Sequence, residues 1–330
     1  MSIILPTYQR ASVLPDVIKA LLSQSLTDVV LTVMDDGSTD NTRQVMEGLL
    51  DPRLRYVRCE HMGIPAIVNA GFELSRGEYV IVCHDHDRYH PEFLSELAQL
   101  LDRHPSATYA HSGVVILDSS GTCEATRYIS DYPELTNGRE FLTRHLLQRI
   151  ASPVTAISMV RRSALKGNFL DPRYGGCADV ELWMRLSVAG DVAYTPRPLL
   201  WLRERDSHSL YFQRAHELTD RVLEAKEPYL NTISNPFERR RITKRWRTDA
   251  NLTGLSAMCS ALEHGQPALV PGIKDFVRRR GTMAGSLALH LIALLPAPLG
   301  ASALNRLRQV RHLARQLIRG SLNGYCENRT

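Results

Sequence analysis

Two groups of carboxylates, each directly after an apolar run, are the residues of this chain whose types and spacing best suit chemistry. Asp35-Asp36 follows Val29–Met34, and Asp85-His86-Asp87 follows Tyr79–His84. Short apolar runs bounded by turn residues are typical of buried strands in a parallel sheet. Open α/β sheets bind ligands at the carboxyl ends of their strands, so both groups are expected to face one crevice. We therefore expect an enzyme with a site for a metal ion and a phosphorylated ligand.

The second group is a DxD pattern, in which two carboxylates orient a diphosphate through a divalent ion. Mg²⁺ and Mn²⁺ prefer hard oxygen ligands and bridge phosphate oxygens, and a bound ion stabilises charge developing on a leaving group. His84, His86 and His90 can add an imidazole ligand, which Mn²⁺ tolerates. Short acidic triplets are also common in loops, but the position between a strand and a helix start favours a functional role.

The loop after the first apolar run, Pro6-Thr7-Tyr8-Gln9-Arg10, offers backbone groups and an aromatic face to a flat base. Asp36, after the next strand, can accept a hydrogen bond from a pyrimidine N–H. The alternative is a turn and a helix N-cap, with Thr39 or Asp40 as the cap. That alternative accounts for Asp40 but not for Asp35-Asp36 after an apolar strand.

Asp179 begins a predicted helix, Asp179–Ala189, which ends at Gly190. One interpretation is a general base that faces a sugar, and the other is a carboxylate that merely complements the helix dipole. Glu181 and Arg185 are four residues apart and can pair with each other. Three apolar residues of the helix are expected in the core: Leu182, Trp183 and Leu186.

Residues 2–104 alternate short apolar runs with amphipathic stretches, which predicts a mostly parallel sheet with helices on both faces. The predicted strands are Ile3–Leu5, Val29–Met34, Leu54–Arg58 and Tyr79–His84, and the predicted helices are Val13–Leu22, Asn41–Leu50, Pro65–Ser75 and Pro91–Asp102. Later predicted elements are a hairpin from Tyr109–Leu117 through a turn at Asp118–Gly121, a helix over Gly138–Arg149, and strands at Thr155–Val160, Val192–Tyr194 and Leu199–Leu202. From Phe212 onward the pattern predicts helices, with breaks near Pro228, Pro236 and Pro267–Pro271.

Cysteine use and the start of the chain indicate the compartment. The 330 residues include six cysteines with no CxxC pair, which argues against a zinc ribbon and favours a reducing compartment. The chain opens with a strand, so no signal peptide is expected. The length suffices for one large domain or two modest ones.

The end of the chain is basic. Of 40 Lys+Arg and 35 Asp+Glu in the chain, residues 236–330 hold 16 and 5, which leaves 24 and 30 for the remainder. Thr282–Leu304 is about as long as a membrane span but contains His290 and two prolines, and Leu304–Arg319 alternates leucine with arginine. A basic amphipathic helix after an apolar segment is typical of a membrane-surface anchor. The alternative is a solvated helical hairpin packed on the rest of the protein.

Taken in order, several of these segments resemble the motifs of family 2 glycosyltransferases of the GT-A fold. They are Pro6-Thr7-Tyr8, Asp35–Asp40, Gly77-Glu78-Tyr79, Asp85-His86-Asp87 with Pro91, and Asp179 before Leu182-Trp183. The resemblance covers roughly residues 2–209. It implies a Rossmann-like α/β fold with a mostly parallel central sheet flanked by helices. It also implies a nucleotide-sugar-binding catalytic domain over 1–210 and a basic, mainly helical region over 211–330.

The resemblance further implies roles for individual residues. The nucleotide sugar would be bound by Pro6, Thr7, Tyr8, Arg10, Asp36, Asp85 and His86. The metal would be held by Asp85, Asp87 and His86, and His208 in the loop Arg203–Ser209 is a candidate metal or phosphate contact. Asp179 falls where the family places its catalytic base, so the reaction would be inverting. The base would take a proton from an acceptor hydroxyl that attacks in line with the departing nucleoside diphosphate.

The chain also departs from the family pattern. His84 and His86 stand where carboxylates are common, so His86 rather than Asp87 could be the metal ligand. Ala178 replaces the usual Glu before the base. Ile242 stands where processive members carry the Gln of a Gln-x-x-Arg-Trp motif, although Arg245-Trp246 is present. A non-processive hexosyltransferase is therefore expected.

The implied partners are a UDP- or dTDP-sugar donor, an acceptor hydroxyl of a glycan or lipid-linked glycan, and Mn²⁺ or Mg²⁺. Polysaccharide biosynthesis in the cytoplasm is expected, with peripheral contact to an anionic membrane surface, self-association, and no nucleic acid. Two alternatives stay open: a non-catalytic nucleotide-sugar-binding protein, and a DxD phosphatase. The phosphatase is disfavoured because Tyr89 occupies the place of its Thr or Val. A dinucleotide dehydrogenase is disfavoured because no GxGxxG follows the first strand.

Overall fold

The computed structural model describes residues 1–117, 124–203, 215–263 and 265–293. The chain forms two compact units. The first comprises Met1–Leu142 and Pro153–Glu204, and the second comprises Thr143–Ser152 and Arg205–Thr330. The second unit thus includes a segment from the middle of the chain, which no sequence pattern had indicated. The sequence-based division at residue 210 stays a prediction.

One mixed sheet forms the first unit. Its strands are β1 Ser2–Thr7, β2 Val30–Asp35, β3 Leu54–Arg58, β4 Tyr79–Val82, β5 Arg88–Tyr89, β6 Ala107–Leu117, β7 Glu124–Tyr128, β8 Leu135–Thr136, β9 Met159–Arg161 and β10 Asp191–Arg203. Within the described residues these ten strands are ordered β3-β2-β1-β4-β9-β6-β10-β5, with β7 beside β6 and β8 beside β10. The pairs among β1 to β4 and the β6–β10 pair are parallel, whereas β5, β7, β8 and β9 pair antiparallel. The predicted mostly parallel sheet is confirmed for residues 2–104, where β1 to β4 pair only parallel with one another.

Helices cover both faces of this sheet, as predicted. They are α1 Leu14–Leu22, α2 Thr42–Glu47, α3 Ile64–Leu74, α4 Phe93–Arg103, α5 Gly138–Phe141 and α6 Ala178–Ala189. Side chains alternate along a strand, so Ile3 and Leu5 of β1 join the core formed with α1 and α4. Ile4 faces the other side, where α3 packs so closely that a Cβ on Gly71 would lie 2.7 Å from Ile4 Cγ2. The close helix–sheet packing therefore requires glycine at position 71.

The predicted helix Gly138–Arg149 is confirmed over Gly138–Leu146 and ends three residues early. It is the short helix α5, which continues as a π-helix over Leu142–Leu146. Within the second unit, the carbonyls of Leu146 and Arg149 accept hydrogen bonds from the buried Lys226 ammonium, and the Leu147 carbonyl accepts from Trp246 Nε1. These side chains take carbonyls that a continuing helix would use for its own N–H groups, so the regular helix stops.

Three strand predictions need adjustment. The predicted strand Thr155–Val160 begins only at Met159, because Thr155 and Ser158 bond locally to backbone carbonyls and form a turn. The predicted strands Val192–Tyr194 and Leu199–Leu202 belong to one strand, β10, which shifts register against β6 around Pro198. Proline has no N–H for the ladder, so the strand bulges there and continues.

The predicted hairpin arm is confirmed, because β6 and β7 pair antiparallel, and its turn at Asp118–Gly121 lies outside the described residues.

The described part of the second unit is helical beyond Thr143–Ser152, as predicted. Its helices are α7 Ala215–Leu230, α8 Pro236–Glu263, α9 Val270–Arg280 and α10 Met283–Ala293. Pro228 lies inside α7 near its end and does not break it. One buried core cluster of this unit consists of Ala250, Ala257, Met258, Ala261, Ile273, Phe276, Val277 and Leu289. None of the helices in the described ranges is both long and apolar enough to cross a bilayer, and Leu304–Arg319 lies outside them.

Candidate active site

Thr7, the last residue of β1, connects the two carboxylate groups. β1 lies between β2 and β4, whose carboxyl ends lead to Asp36 and Asp85. The Thr7 carbonyl accepts a hydrogen bond from the Asp36 N–H at 2.9 Å, and the Thr7 hydroxyl donates to Asp85 Oδ2 at 2.9 Å. All three residues are buried. The structure thus places Asp36 and Asp85 at one edge of the sheet, on either side of Thr7.

Asp85 is surrounded by further donors. Its Oδ1 lies 3.1 Å from His86 Nδ1 and 4.0 Å from Nε of Arg10, which is half exposed. With the Thr7 hydroxyl on Oδ2, both carboxylate oxygens have polar neighbours. Arg10, Thr7, Asp85 and His86, all predicted to bind the nucleotide sugar, therefore lie together.

His84, His86 and Asp87 form a second arrangement directly beside Asp85. One potential ligand atom from each of the three lies within 4.8 Å of the other two. His84 Nδ1 is 3.1 Å from Asp87 Oδ2, and the two imidazole rings are stacked with centroids 5.3 Å apart. Two imidazoles and a carboxylate form a donor set that fits a divalent transition ion such as Mn²⁺. His90, by contrast, stacks on Trp201.

Tyr89 fixes the backbone of this loop. Its hydroxyl accepts a hydrogen bond from the His84 N–H and donates one to the His84 carbonyl, each at 2.8 Å. Tyr89 belongs to β5, which pairs with β10 at Leu200. Burial raises the pKa of the Tyr89 hydroxyl, which keeps the proton that the second hydrogen bond needs. The conformation at His84 is therefore set by the sheet.

Asp36 is bound to the start of α3. Its carboxylate accepts hydrogen bonds from the N–H groups of Met62 at 2.7 Å and Gly63 at 3.1 Å. His61 Nδ1 lies 3.0 Å from Oδ2, and the ring of the half-exposed Tyr8 lies 4.6 Å from the His61 ring. A carboxylate has about four acceptor positions, so Asp36 keeps capacity for a pyrimidine N–H beside Tyr8.

Met62, Gly63 and His61 were not predicted as site residues. A signal for them exists in the sequence. A glycine at the N-cap and a proline in the first helical turn mark a helix N-terminus, where free N–H groups attract an anion.

Asp35 and Asp40 have structural partners. Asp35 is fully buried and accepts hydrogen bonds from the Tyr56 hydroxyl and the Ser38 N–H. Asp40 accepts from the Thr42 N–H at 3.1 Å, but the N-cap of α2 is Asn41 rather than the predicted Thr39 or Asp40. Gly37, between Asp35 and Asp40, has φ +82, and a Cβ there would lie 2.9 Å from the backbone nitrogen of His61. The turn therefore needs glycine at this position.

Asp179 is half-buried in the first turn of α6. Glu181 pairs with Arg185 at 3.1 Å, as predicted, and Leu182, Trp183 and Leu186 are fully buried. The segment that leads to α6 is tied to α3, because the Asn69 amide exchanges two hydrogen bonds of 2.8 Å with the Leu170 backbone. Asp36 and Asp179 are thus both connected to α3. The role of Asp179 as a base stays a prediction.

Of two other predicted site residues, the structure describes Pro6 but not His208. Pro6 is buried within β1, next to Thr7. His208 and its loop lie outside the described residues.

Comparison with known proteins identifies the family. The model of Glycosyl transferase family 2 matches residues 2–169. A curated relative, the GalNAc(5)-diNAcBac-PP-undecaprenol beta-1,3-glucosyltransferase of Campylobacter jejuni, is 31% identical over 115 residues, which are 34% of this chain and 36% of that protein. The chain spans between 21% and 36% of the lengths of such relatives.

Solved structures share the fold. S. aureus TarS (residues 1–349), solved with UDP-GlcNAc, superposes with a TM-score of 0.61 at 17% identity, covering 96% of this chain and 91% of that one. The mannosyltransferase PcManGT from Pyrobaculum calidifontis, solved with GDP-Man and Mn²⁺, gives 0.53 at 15% identity, covering 99% and 87%. The predicted GT-A fold is confirmed. Since the matched family model spans more than half of the sequence, this chain belongs to glycosyl transferase family 2.

Proposed function

We propose that the protein is an inverting, non-processive glycosyltransferase that moves a sugar from a UDP- or dTDP-sugar to an acceptor hydroxyl. The observation that carries the proposal is the junction at Thr7, which links a base-binding candidate, Asp36, to a diphosphate-binding candidate, Asp85. The crystals of TarS with UDP-GlcNAc and of PcManGT with GDP-Man and Mn²⁺ support a nucleotide-sugar ligand for this fold.

The donor would be bound in two parts. Asp36 and the exposed face of Tyr8 would take the base, next to Pro6 and Thr7. Asp85, His86 and Arg10 would take the diphosphate, together with a metal site that includes Asp87. A bound divalent ion would supply positive charge to the leaving diphosphate. The guanidinium of Arg10 adds a donor on the exposed side of Asp85.

Asp179 is proposed as the general base. Asp179 lies in the first turn of α6, near the positive end of the helix dipole, where a carboxylate is favoured. The tie between Leu170 and Asn69 of α3 holds the segment before α6 in place. Asp179 would take the acceptor proton while the acceptor oxygen attacks the anomeric carbon.

The acceptor is proposed to be a glycan or lipid-linked glycan at an anionic membrane surface in the cytoplasm. In the second unit, α8 buries Ile242, Trp246 and Ala250 along one face. The opposite face exposes a basic stripe at helical spacing, which consists of Arg240, Arg241, Lys244 and Arg247. Phe237, one turn before Arg241, is 84% exposed. Basic side chains with an aromatic residue beside them favour contact with anionic lipid headgroups. Self-association of the chain is kept as a prediction.

A donor screen tests the proposed function. The full-length protein is incubated with Mn²⁺ and each common nucleotide sugar, with and without glycan or lipid-linked acceptors, and nucleoside diphosphate release is measured. We expect release with one uridine or thymidine donor, and a rise in melting temperature with the matching nucleoside diphosphate, because a ligand that binds only the folded state stabilises it. Binding without turnover for any donor would favour the non-catalytic alternative. The absence of both binding and turnover with every donor would overturn the proposal.

A further inference from the structure

We infer that α10 and Phe237 are two apolar anchors that insert into an anionic bilayer, with the basic stripe of α8 on the headgroups between them. In this arrangement α8 lies parallel to the membrane plane. The insertion deepens the membrane contact of the proposed function, on which it rests for a reason why the protein meets a bilayer. It adds a second insertion site, α10, and an orientation of the second unit.

Over Met283–Leu289, the exposed residues of α10 are all apolar. They lie on one side of the helix and are Met283, Ala284, Leu287 and Ala288. Met283 is 92% exposed and Leu287 is 63% exposed, whereas Leu289 is buried in the core of the unit. The whole helix carries no Asp, Glu, Lys or Arg. Large apolar side chains that are exposed together indicate a surface for a partner or a membrane.

The start of α10 is bound to the face of α8 that carries the basic stripe. Asn251 follows Arg247 by one helical turn on this face. The Asn251 amide donates to Thr282 Oγ1 at 2.9 Å, and its oxygen accepts from the Thr282 N–H at 3.0 Å. A Cβ on Gly281 or Gly285 would collide with the Asn251 side chain, so α10 approaches α8 closely here. The apolar helix therefore begins where the basic stripe ends.

Met283 and Leu287 point away from this contact. Each is two residues from Gly285, so its side chain leaves α10 on the side opposite Asn251. The axes of packed helices are about 8–10 Å apart, so the outer face of α10 stands about one helix diameter above α8, on the side of the stripe.

Phe237 lies at the other end of the stripe. It is 84% exposed and lies about four helical turns, or about 21 Å, before Asn251 on the same face of α8. The stripe thus runs between two apolar projections. Interfacial helices bury their apolar faces about 5–10 Å deep, a depth that these projections can reach while the basic side chains stay among the headgroups.

The charge around this surface favours an anionic partner. The sequence from Phe276 to Cys326 contains arginines but no Asp or Glu, so the residues that follow α10 are basic as well. If these residues covered α10, or if a second copy of the chain covered it across a twofold axis, like charges would gather around the apolar face. An anionic bilayer instead offers acyl chains to α10 and Phe237 and negative headgroups to the stripe.

Vesicle binding at two salt concentrations separates insertion from charge attraction. The full-length protein should bind vesicles of phosphatidylcholine and phosphatidylglycerol at low salt. It should keep a measurable part of that binding at about 1 M NaCl, where charges are screened beyond about 3 Å. Met283→Gln with Leu287→Gln should lower partitioning at least about 10-fold at both salt concentrations, because two large apolar side chains are no longer buried. Glutamine has nearly the helix propensity of methionine and leucine, so α10 should persist.

The matched control is Leu50→Gln with Leu74→Gln, which changes two exposed leucines of the first unit. This variant should bind vesicles as the wild type does. Equal losses for the two double variants, or wild-type partitioning of the α10 variant, would overturn the insertion of α10.

Tryptophan fluorescence shows directly whether α10 enters the acyl chains. After subtraction of the wild-type spectrum, Leu287→Trp should give emission that shifts to the blue on addition of anionic vesicles and is quenched by lipids brominated on their acyl chains. Leu50→Trp, at a position that is 96% exposed, is the control and should show neither effect. Emission of Leu287→Trp that is already blue-shifted in buffer would mean that protein covers this face. That result, or unquenched emission with brominated lipids, would overturn the insertion.

The membrane insertion and the proposed function fail separately. If the Leu287→Trp emission is quenched by brominated lipids but no donor is turned over, the anchors stand and the glycosyltransferase proposal falls. If a donor is turned over and the emission is not quenched, the function stands and the anchors are wrong.

Discussion

The Thr7 hydroxyl and the Asp85 carboxylate are joined by a hydrogen bond of 2.9 Å between residues 78 positions apart in the sequence. The carbonyl of the same threonine accepts from the Asp36 N–H. One residue at the end of a central strand therefore sets the spacing between the proposed base-binding and diphosphate-binding carboxylates. The Asp85 carboxylate is held by the Thr7 hydroxyl, and the Asp36 backbone is held by the Thr7 carbonyl.

Thr7→Val should impair donor use while the fold is retained. Valine keeps the β-branched shape that suits a strand but lacks the hydroxyl that Asp85 accepts from. A hydrogen bond to a charged group contributes about 1.5–3 kcal/mol, so kcat/KM for the donor is expected to fall by about 10- to 100-fold. Steady-state kinetics with varied donor measures this. Thr248→Val, where the hydroxyl donates to the Lys244 carbonyl on α8, is the matched control. A wild-type kcat/KM for Thr7→Val would contradict the proposed role.

Asp179→Asn should remove sugar transfer and spare nucleotide binding. General-base catalysis contributes about 10²- to 10⁴-fold, so kcat is expected to fall by that factor. Calorimetry should give nearly unchanged affinity for the nucleoside diphosphate. Asp16→Asn makes the same change in the first turn of α1, where the residue is exposed, and should leave both quantities intact. Transfer by the Asp179 variant at a near wild-type rate would show that another group is the base.

Neutralising the basic stripe on α8 should weaken binding to anionic vesicles. Each Lys or Arg near an anionic surface contributes about 1 kcal/mol, so changing all four residues of the stripe to Gln should cost at least about 100-fold in partitioning. Glutamine has nearly the helix propensity of arginine, so the helix should persist. Vesicle co-sedimentation at low and high salt measures the effect.

The control for the stripe is a matched set of exposed cations in the first unit: Lys19, Arg43, Arg55 and Arg173. Changing these four to Gln removes the same charge and should leave vesicle binding nearly unchanged. Equal losses for both quadruple variants would mean that net charge alone, and not the α8 stripe, accounts for the binding.

Lys226 should make stability rise with pH. Burial lowers the pKa of this fully buried lysine from 10.5 to about 7, against the attraction of Asp249. The unfolded chain therefore binds more protons between pH 7 and 10.5, so the free energy of unfolding increases with pH across that window. The expected gain between pH 7 and pH 9 is about 2 kcal/mol. Urea unfolding at several pH values measures it.

Lys226→Met should flatten this dependence, because methionine fills the site without a titrating group. Lys244→Met, at an exposed position of α8, should keep the wild-type slope. A Lys226→Met variant with the same slope would assign the pH dependence to other groups.

The early strands and helices were predictable because the residue pattern that defines each one lies within its own segment. Leu54–Arg58 is found at the predicted residues, and the other early strands and helices differ by a few positions at their ends. The errors arise where residues far away in the sequence determine the end or the continuation of an element. The helix after Gly138 ends early because Lys226 and Trp246 take its carbonyls, and β10 continues past Pro198 because β6 pairs with it on both sides of the bulge.

The sequence predicted which residues belong to the candidate site, but not which of them form hydrogen bonds with each other. Strand order places β1 between β2 and β4, and that order is not written in any short segment of the sequence. The link from Thr7 to Asp85 therefore appeared only in three dimensions. The role of Asp85 as a metal ligand, which the DxD pattern predicted, stays a prediction.

The hydroxyl of Tyr89 reduces the entropy that the loop at His84 loses when a ligand binds. A side chain that engages the N–H and the carbonyl of one residue restrains both of its backbone torsions, and the hydroxyl does this at His84. The loop is thus shaped before any donor arrives. Binding then loses little backbone entropy at this point, and more of the interaction energy is expressed as affinity.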